Sequence, residues 1–260
     1  MVEVARFPDG EEFYRVHPRT HAVDDICAFL RDSEILQIGL IPWGSNYTFL
    51  AALDIGEEHP TLGVYKPLRG EAPLWDFPNG TLYRREYAAF VLSEALGWQI
   101  VPPTVIRETG PHGLGTMQLY MHHHREEADY FAIRERHARE VKRMAVFDLI
   151  ANNTDRKAGH CLCDEAGHVW GIDHGLTFNL NSGLRTVIWD FGGERIPKRL
   201  VRDMKRVDDD LQGRQGVACK LHELLFEEEI EAMLERMRKL MQDPVLPNLH
   251  RRRSVPWSFR

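Results

Sequence analysis

The sequence predicts an α+β fold in two successive parts: a strand-rich half that holds one helix, then a helical half. Three observations predict it. Short apolar runs alternate around turn residues from about residue 34 to 121, with the period of two that marks half-buried strands. One helical stretch, residues 82–96, interrupts them. After residue 122 the 3.6-residue period dominates up to residue 242.

In chain order, "EILQIGLIPWGSNYTFLAALD" gives two strands on either side of the turn-rich "PWGSN". "LGVYKPLRG" is a further strand, closed by Lys66-Pro67. In "WDFPNGTLYRREYAAFVLSEALGW" the "PNG" marks a turn, Thr81 the helix N-cap and Gly97 its stop. "QIVPPTVIRET" and "GTMQLYM" are strands flanking the turn "GPHG". "FAIRERHAREVKRMAVFDLIANN" then places Ile133, His137, Val141, Met144, Phe147 and Leu149 close to one helical period. Two short strands surround "DEAG". Further helical segments end in "FEEEIEAMLERMRKLM", where Phe226, Ile230, Met233, Leu234, Met237 and Met241 form an apolar stripe. The tail "RRRSVPWSFR" is expected to be a loose end or a docking strip. The expected organisation is one domain over 1–260, with a first lobe to about 121, a second over 122–245 and a tail from 246.

The chain has 260 residues, of which 43% are hydrophobic and 28% charged, with a net charge of −6. That length buries a sizeable core. The mild acidity argues against a general nucleic-acid binder, which needs a basic surface. No apolar run approaches the roughly 20 residues of a membrane helix, so no membrane insertion is expected. "MVEVARFPDG" lacks the pattern of a signal peptide. Four scattered cysteines (Cys27, Cys161, Cys163 and Cys219) do not make a disulfide framework, and a reduced cytoplasmic protein is expected.

The chemistry concentrates in "NNTDRKAGHCLCDEAGHVWGIDHGLTF", residues 152–178. His160 stands five residues after Asp155, and Asp173 thirteen after His160. In the pattern H-R-D-x-x-x-x-N the metal-binding asparagine also stands five after the catalytic aspartate, and a second metal aspartate follows on the next hairpin. Phosphoryl transfer further needs a lysine on the nucleotide phosphates. Lys66, at the end of a strand, can supply it, although a lone lysine beside a proline reads more readily as a surface residue. A glutamate on the apolar stripe of the 82–96 helix answers that ambiguity. Glu86 falls on the face of Leu82, Ala89, Phe90, Ser93 and Leu96, where a carboxylate is costly unless paired, and its expected partner is Lys66.

"NNTDRKAGH…IDHG" resembles the catalytic and metal loops of the phosphatidylinositol 3-/4-kinase and HipA-like kinase superfamily, which read approximately D-R-H-x-x-N and then I-D-F/H-G. "LIPWGSNYTFL", "GVYKP" and "GTLYRREYAAFVLSEALGWQIVPPTV" further resemble an uncharacterised bacterial subfamily of phosphatidylinositol-kinase-like proteins. The resemblance spans roughly residues 35–240. It implies a bilobal protein-kinase-like fold and two cofactors, ATP and Mg²⁺. It does not imply a lipid acceptor. Gly44, Ser45 and Asn46 match the phosphate-covering turn, Lys66 the phosphate lysine and Glu86 its partner. Gln118, Leu119 and Met121 match the hinge that reads adenine, Asp155 the base and Asp173 the main metal ligand.

Two positions depart from that pattern: Lys157 replaces a histidine and His160 the metal asparagine. Lys157 either offsets γ-phosphate charge or faces solvent as a loop lysine. An imidazole at 160 suits Mn²⁺ better than Mg²⁺. The second metal is then weak or absent, or the enzyme accepts Mn²⁺, or the chain is a pseudokinase. The C-x-C spacing of Cys161 and Cys163 differs from the C-x₂₋₄-C of structural zinc knuckles. "HHH" at 122–124 and "RRRS" read as surface features. The function expected from the sequence is ATP- and divalent-metal-dependent phosphate transfer to a hydroxyl of a protein or small molecule. The alternatives are a nucleotide-binding regulator and a protein nucleotidyl transferase.

Overall fold

The computed structural model describes residues 3–6, 12–42, 46–123, 129–248 and 256. The chain divides into two compact units, Met1–Tyr87 with Pro102–His122, and Ala88–Val101 with His123–Arg260.

The first unit is built on a seven-stranded sheet. β1 (Glu3–Arg6), β2 (Glu12–Arg15), β5 (Thr61–Pro67), β4 (Thr48–Leu53) and β3 (Ile35–Ile41) lie in that order, and β7 (Gly115–Leu119) pairs with both β5 and β6 (Thr104–Arg107). All pairings are antiparallel except a single parallel bridge, Tyr14 to Thr61, between β2 and β5. The expected strands at 34–54, 62–70, 99–109 and 115–121 are therefore present, with the hairpin turn at 110–113 closed by the Gly113 amide on the Gly110 carbonyl. The register puts Lys66, Val64, Thr116, Gln118 and Thr104 on one sheet face, and Tyr65, Met117, Val105 and Arg107 on the other. Gly115 is required where it stands, because a Cβ there would collide with the Lys66 carbonyl.

An additional helix, α1 (Val23–Asp32), covers the Arg107 face. Ile26 and Leu30 are its buried side chains, and Arg107 donates to the Leu30 and Ser33 carbonyls at 3.1 and 2.6 Å. α2 (Leu82–Leu96) stops as the sequence predicts. Gly97 has φ +68°, its amide donates to the Glu94 carbonyl and the Trp98 amide to that of Ser93, which is the Schellman closure. The helix start is held differently from the expectation. Thr81 occupies the N-cap position, but its hydroxyl donates to the Pro78 carbonyl. The free first-turn amides of Leu82 and Tyr83 donate instead to the Glu71 carboxylate, at 3.2 and 2.8 Å.

The second unit is mainly helical. The long helix expected over 131–153 is two: α3 (Tyr130–Ile133) and α4 (Ala138–Ala151). The backbone leaves helical geometry at His137 (φ −118°, ψ 35°), whose ring reaches the Cys163 thiol. Val141, Met144 and Phe147 are buried as their period predicts. A hairpin follows, β8 (Cys161–Cys163) and β9 (Val169–Gly171), turning through 164–167. Then come α5 (Lys198–Gln212), the short α6 (Leu221–Leu224) and α7 (Glu227–Gln242). α7 buries Ile230, Met233, Leu234, Met237 and Leu240, whereas Phe226 at its start is exposed. Among the described residues no helix is long and apolar enough to cross a membrane.

Candidate active site

In the first unit the strand and helix readings meet at one ion pair. Lys66 Nζ lies 3.0 Å from Glu86 Oε2, with Glu86 only 2% exposed. Burial of this carboxylate explains why the apolar stripe of α2 tolerates it: the ammonium compensates for lost water. Glu71 anchors the start of the same helix. Burial pushes its carboxyl up from the usual range, and the two backbone amides pull it back down. Asn46 Oδ1 accepts the Ala72 amide at 2.8 Å, tying the end of the "PWGSN" turn to the segment after Lys66. Gly44 and Ser45 lie outside the described residues. Gln118 is buried, and its side-chain Nε2 donates to Thr104 Oγ1 at 2.8 Å on the Lys66 face of the sheet. The Leu119 amide donates to the Pro103 carbonyl, and Met121 is buried.

In the second unit α4 ends at Asn152 in the left-handed region, a conformation asparagine tolerates. Asn153 Oδ1 then accepts the Asp155 amide at 2.9 Å, an Asx turn that fixes the loop. Asp155 Oδ2 and Lys157 Nζ are 2.9 Å apart. Burial raises the Asp155 carboxyl above its ordinary value; Lys157 opposes the rise and the nearby Asp173 carboxylate adds to it. His160 closes a 3₁₀ turn, Ala158–His160, and its Nε2 is 3.3 Å from Asp173 Oδ2. Asp173 itself has φ +59°, which costs a non-glycine residue about 1–2 kcal/mol. Asp155, His160 and Asp173, singled out by spacing, and Lys157, singled out by the resemblance, thus form two neighbouring contacts of one loop system. Among the described residues no group of three or more His, Cys, Asp or Glu side chains gathers as metal ligands. His160 and Asp173 do bring an imidazole nitrogen and a carboxylate oxygen together, a donor set that suits Mn²⁺ better than Mg²⁺.

The sequence profile described as "Phosphatidylinositol 3- and 4-kinase" matches residues 104–242, just over half of the chain. The chain belongs to the phosphatidylinositol 3- and 4-kinase family. A relative of this family member, Protein Rv2133c of Mycobacterium tuberculosis (strain ATCC 25618 / H37Rv), is 36% identical over 268 residues, covering 90% of this chain and 95% of the relative. Among solved structures, the Golgi casein kinase with Mn/ADP bound superposes with a TM-score of 0.54 at 14% identity, over 87% of this chain and 76% of that one. Hydra Fam20 with sugar gives 0.54 at 16%, over 86% and 88%. At such identities the likeness is one of fold, and it establishes a kinase-like fold for this phosphatidylinositol 3- and 4-kinase family member.

A buried group that the sequence reading passed over lies under this family member's catalytic-looking loop. Arg156 and Asp148 are both 0% exposed and joined by two hydrogen bonds of 2.9 Å. Burial opposes the Arg156 charge, but the Asp148 carboxylate more than restores it, so the guanidinium stays charged. The missed signal was available. Asp148 interrupts the apolar run "AVFDLI" of α4, as Glu86 interrupts that of α2, and an acid in such a place needs a partner.

Proposed function

We propose that this chain is an ATP- and divalent-metal-dependent phosphotransferase whose acceptor is a hydroxyl group of a protein or small molecule. The observation that carries the reading is the convergence of Asp155 with Lys157 and of His160 with Asp173 in a loop whose spacing is that of phosphoryl-transfer sites. Lys66, held by the buried Glu86, suits contact with nucleotide phosphates from a rigid strand. The Golgi casein kinase, similar in fold, carries Mn and ADP.

In this reading the acceptor oxygen bonds to the γ-phosphorus as the bond from that phosphorus to the β–γ bridging oxygen breaks. Asp155 takes the hydroxyl proton, for which a carboxyl raised by burial is better suited than a solvated one. Lys157 offsets γ-phosphate charge and holds the Asp155 carboxylate in place. Asp173 and His160 are the residues to hold a divalent cation, which neutralises charge on the phosphates when bound. Gly44, Ser45 and Asn46 cover the phosphates, and the Gln118 to Met121 segment reads adenine.

A second reading draws on the imidazole at 160. A site with a nitrogen donor in place of an oxygen one is poorly matched to Mg²⁺, which favours a nucleotide-binding regulator of low turnover. Incubation with γ-labelled and α-labelled ATP in cell extract separates the cases. Transfer of the γ label supports the phosphotransferase, and transfer of the α label a nucleotidyl transferase. Binding without transfer supports the regulator. No binding of any nucleotide with any divalent cation overturns all three.

A further inference from the structure

We infer that Arg156 is a positioning residue for the cation site, its guanidinium setting the separation of the His160 and Asp173 donors. This rests on the function proposed above. A guanidinium has five N–H donors in a rigid plane. All five are used here. Nε donates to Asp148 Oδ2 at 2.9 Å, and Nη2 to Asp148 Oδ1 at 2.9 Å and to His174 Nε2 at 2.6 Å. Nη1 donates to the carbonyls of His160 and Ile172, at 3.1 and 3.0 Å.

The last three acceptors make the case. One belongs to His160 itself, and the other two belong to the residues on either side of Asp173. The Ile172 amide also donates to the His160 carbonyl at 3.0 Å, so the backbones of His160 and of the residue before Asp173 meet at the same guanidinium. Asp148 fixes the other side of the plane and in turn accepts Asn153 Nδ2 at 3.1 Å. Asn153 sets the Asp155 amide through the contact already described. A single buried cation thereby references the base, both cation donors and the end of α4 to one another. His174 accepts from Arg156 through Nε2, so its proton sits on Nδ1. Lysine has three donors and no plane, and it cannot reproduce the arrangement. Groups behind metal ligands commonly change metal affinity by about 10–100-fold when altered.

The test is Mn²⁺ binding to the full chain, read by the loss of free-ion signal in electron paramagnetic resonance, with and without ATP. Arg156→Lys is expected to weaken Mn²⁺ binding by about ten-fold or more. Its affinity for ATP measured without metal should stay near that of the wild type. His174→Phe removes one acceptor and is expected to weaken Mn²⁺ several-fold, whereas His174→Gln, which keeps one, should recover most of the loss. These two variants leave the Asp148 pair intact, so they decide the matter if Arg156→Lys does not fold. Folded variants that bind Mn²⁺ within two-fold of wild type would show Arg156 to be a core residue only and overturn the inference. Wild-type protein that binds neither Mn²⁺ nor ATP would instead overturn the functional reading, and the inference with it.

Discussion

Lys66 and Glu86, twenty residues apart, form an ion pair of 3.0 Å in which one member is nearly sealed from water and the other is 21% exposed. The asymmetry gives the pair an unequal response to mutation. Lys66→Met removes the ammonium beside a buried carboxylate, which costs about 1–3 kcal/mol. Glu86→Gln leaves an ammonium that can reach solvent, and it should cost less than that. Urea unfolding of both variants at neutral pH measures the difference. Equal losses would mean that Glu86 is better hydrated than its burial indicates.

The carboxyl of Asp155 is raised by burial, so its ionisation works against folding. The sign follows directly. A folded-state value above the unfolded one means stability that is full below the unfolded carboxylate range and is lost as pH rises through the folded value. Asp155→Asn, which keeps the neutral shape, should therefore raise Tm at pH 7. The gain should shrink as the pH falls below the ordinary carboxylate range. Calorimetry across that range checks it, and a variant less stable than wild type at neutral pH would refute the assignment of burial as the dominant cause. In the proposed mechanism the same variant binds ATP normally and transfers no phosphate.

His160 and Asp173, 3.3 Å apart, predict the metal response. At 100-fold excess over Kd, ATP with Mn²⁺ should stabilise the fold by about 2.7 kcal/mol. At about 2–4 °C per kcal/mol that corresponds to about 5–11 °C in Tm. Asp173→Ala should abolish the metal-dependent part. His160→Asn, which exchanges nitrogen for oxygen, should move the preference from Mn²⁺ towards Mg²⁺. A His160→Asn protein with an unchanged Mn²⁺ to Mg²⁺ ratio would remove His160 from the ligand set.

Glu71 supplies the cap that α2 lacks on its own N-cap residue. Glu71→Ala should lower stability by about 1 kcal/mol. Thr81→Val, by contrast, keeps the cap; it loses the hydroxyl bond to the Pro78 carbonyl and the longer one, 3.3 Å, that the hydroxyl accepts from Arg85 Nε, and it should cost less than the loss of both first-turn partners. Thermal unfolding of the two variants side by side ranks them.

Much of this was legible in the sequence because it is local. Gly97 ends α2 since only a residue at ease with positive φ closes a Schellman turn. The "DEAG" hairpin turns at 164–167, and its Gly167 again has positive φ. Glu86 was found because an acid on an apolar helical face must be compensated. The break between α3 and α4 was not legible. The "RERH" segment suits a helix, and what draws His137 out of it is a thiol 26 residues further on. α1 went unread, since its stripe acquires meaning only against the sheet face of Val105 and Arg107. Thr81 stands at the N-cap as its position in the sequence indicates, but its hydroxyl does not cap the helix, for a related reason: Glu71, ten residues earlier, reaches the first-turn amides, and the Thr81 hydroxyl donates to the Pro78 carbonyl instead.

By itself the sequence determined the two-part α+β order, the spacing of Asp155, His160 and Asp173, and the need of Glu86 for a cation. Each follows from periodicity, turn chemistry or the cost of an uncompensated charge, all properties of short stretches. Only the tertiary structure decided that Arg156 faces inward, that Asp148 is its partner, and that its remaining donors gather the carbonyls of His160 and Ile172 with the ring of His174. The physical reason is that a hydrogen bond is directional over about 3 Å. No spacing along the chain tells which of many buried donors and acceptors will meet at that distance once the loop, the hairpin and α4 have packed.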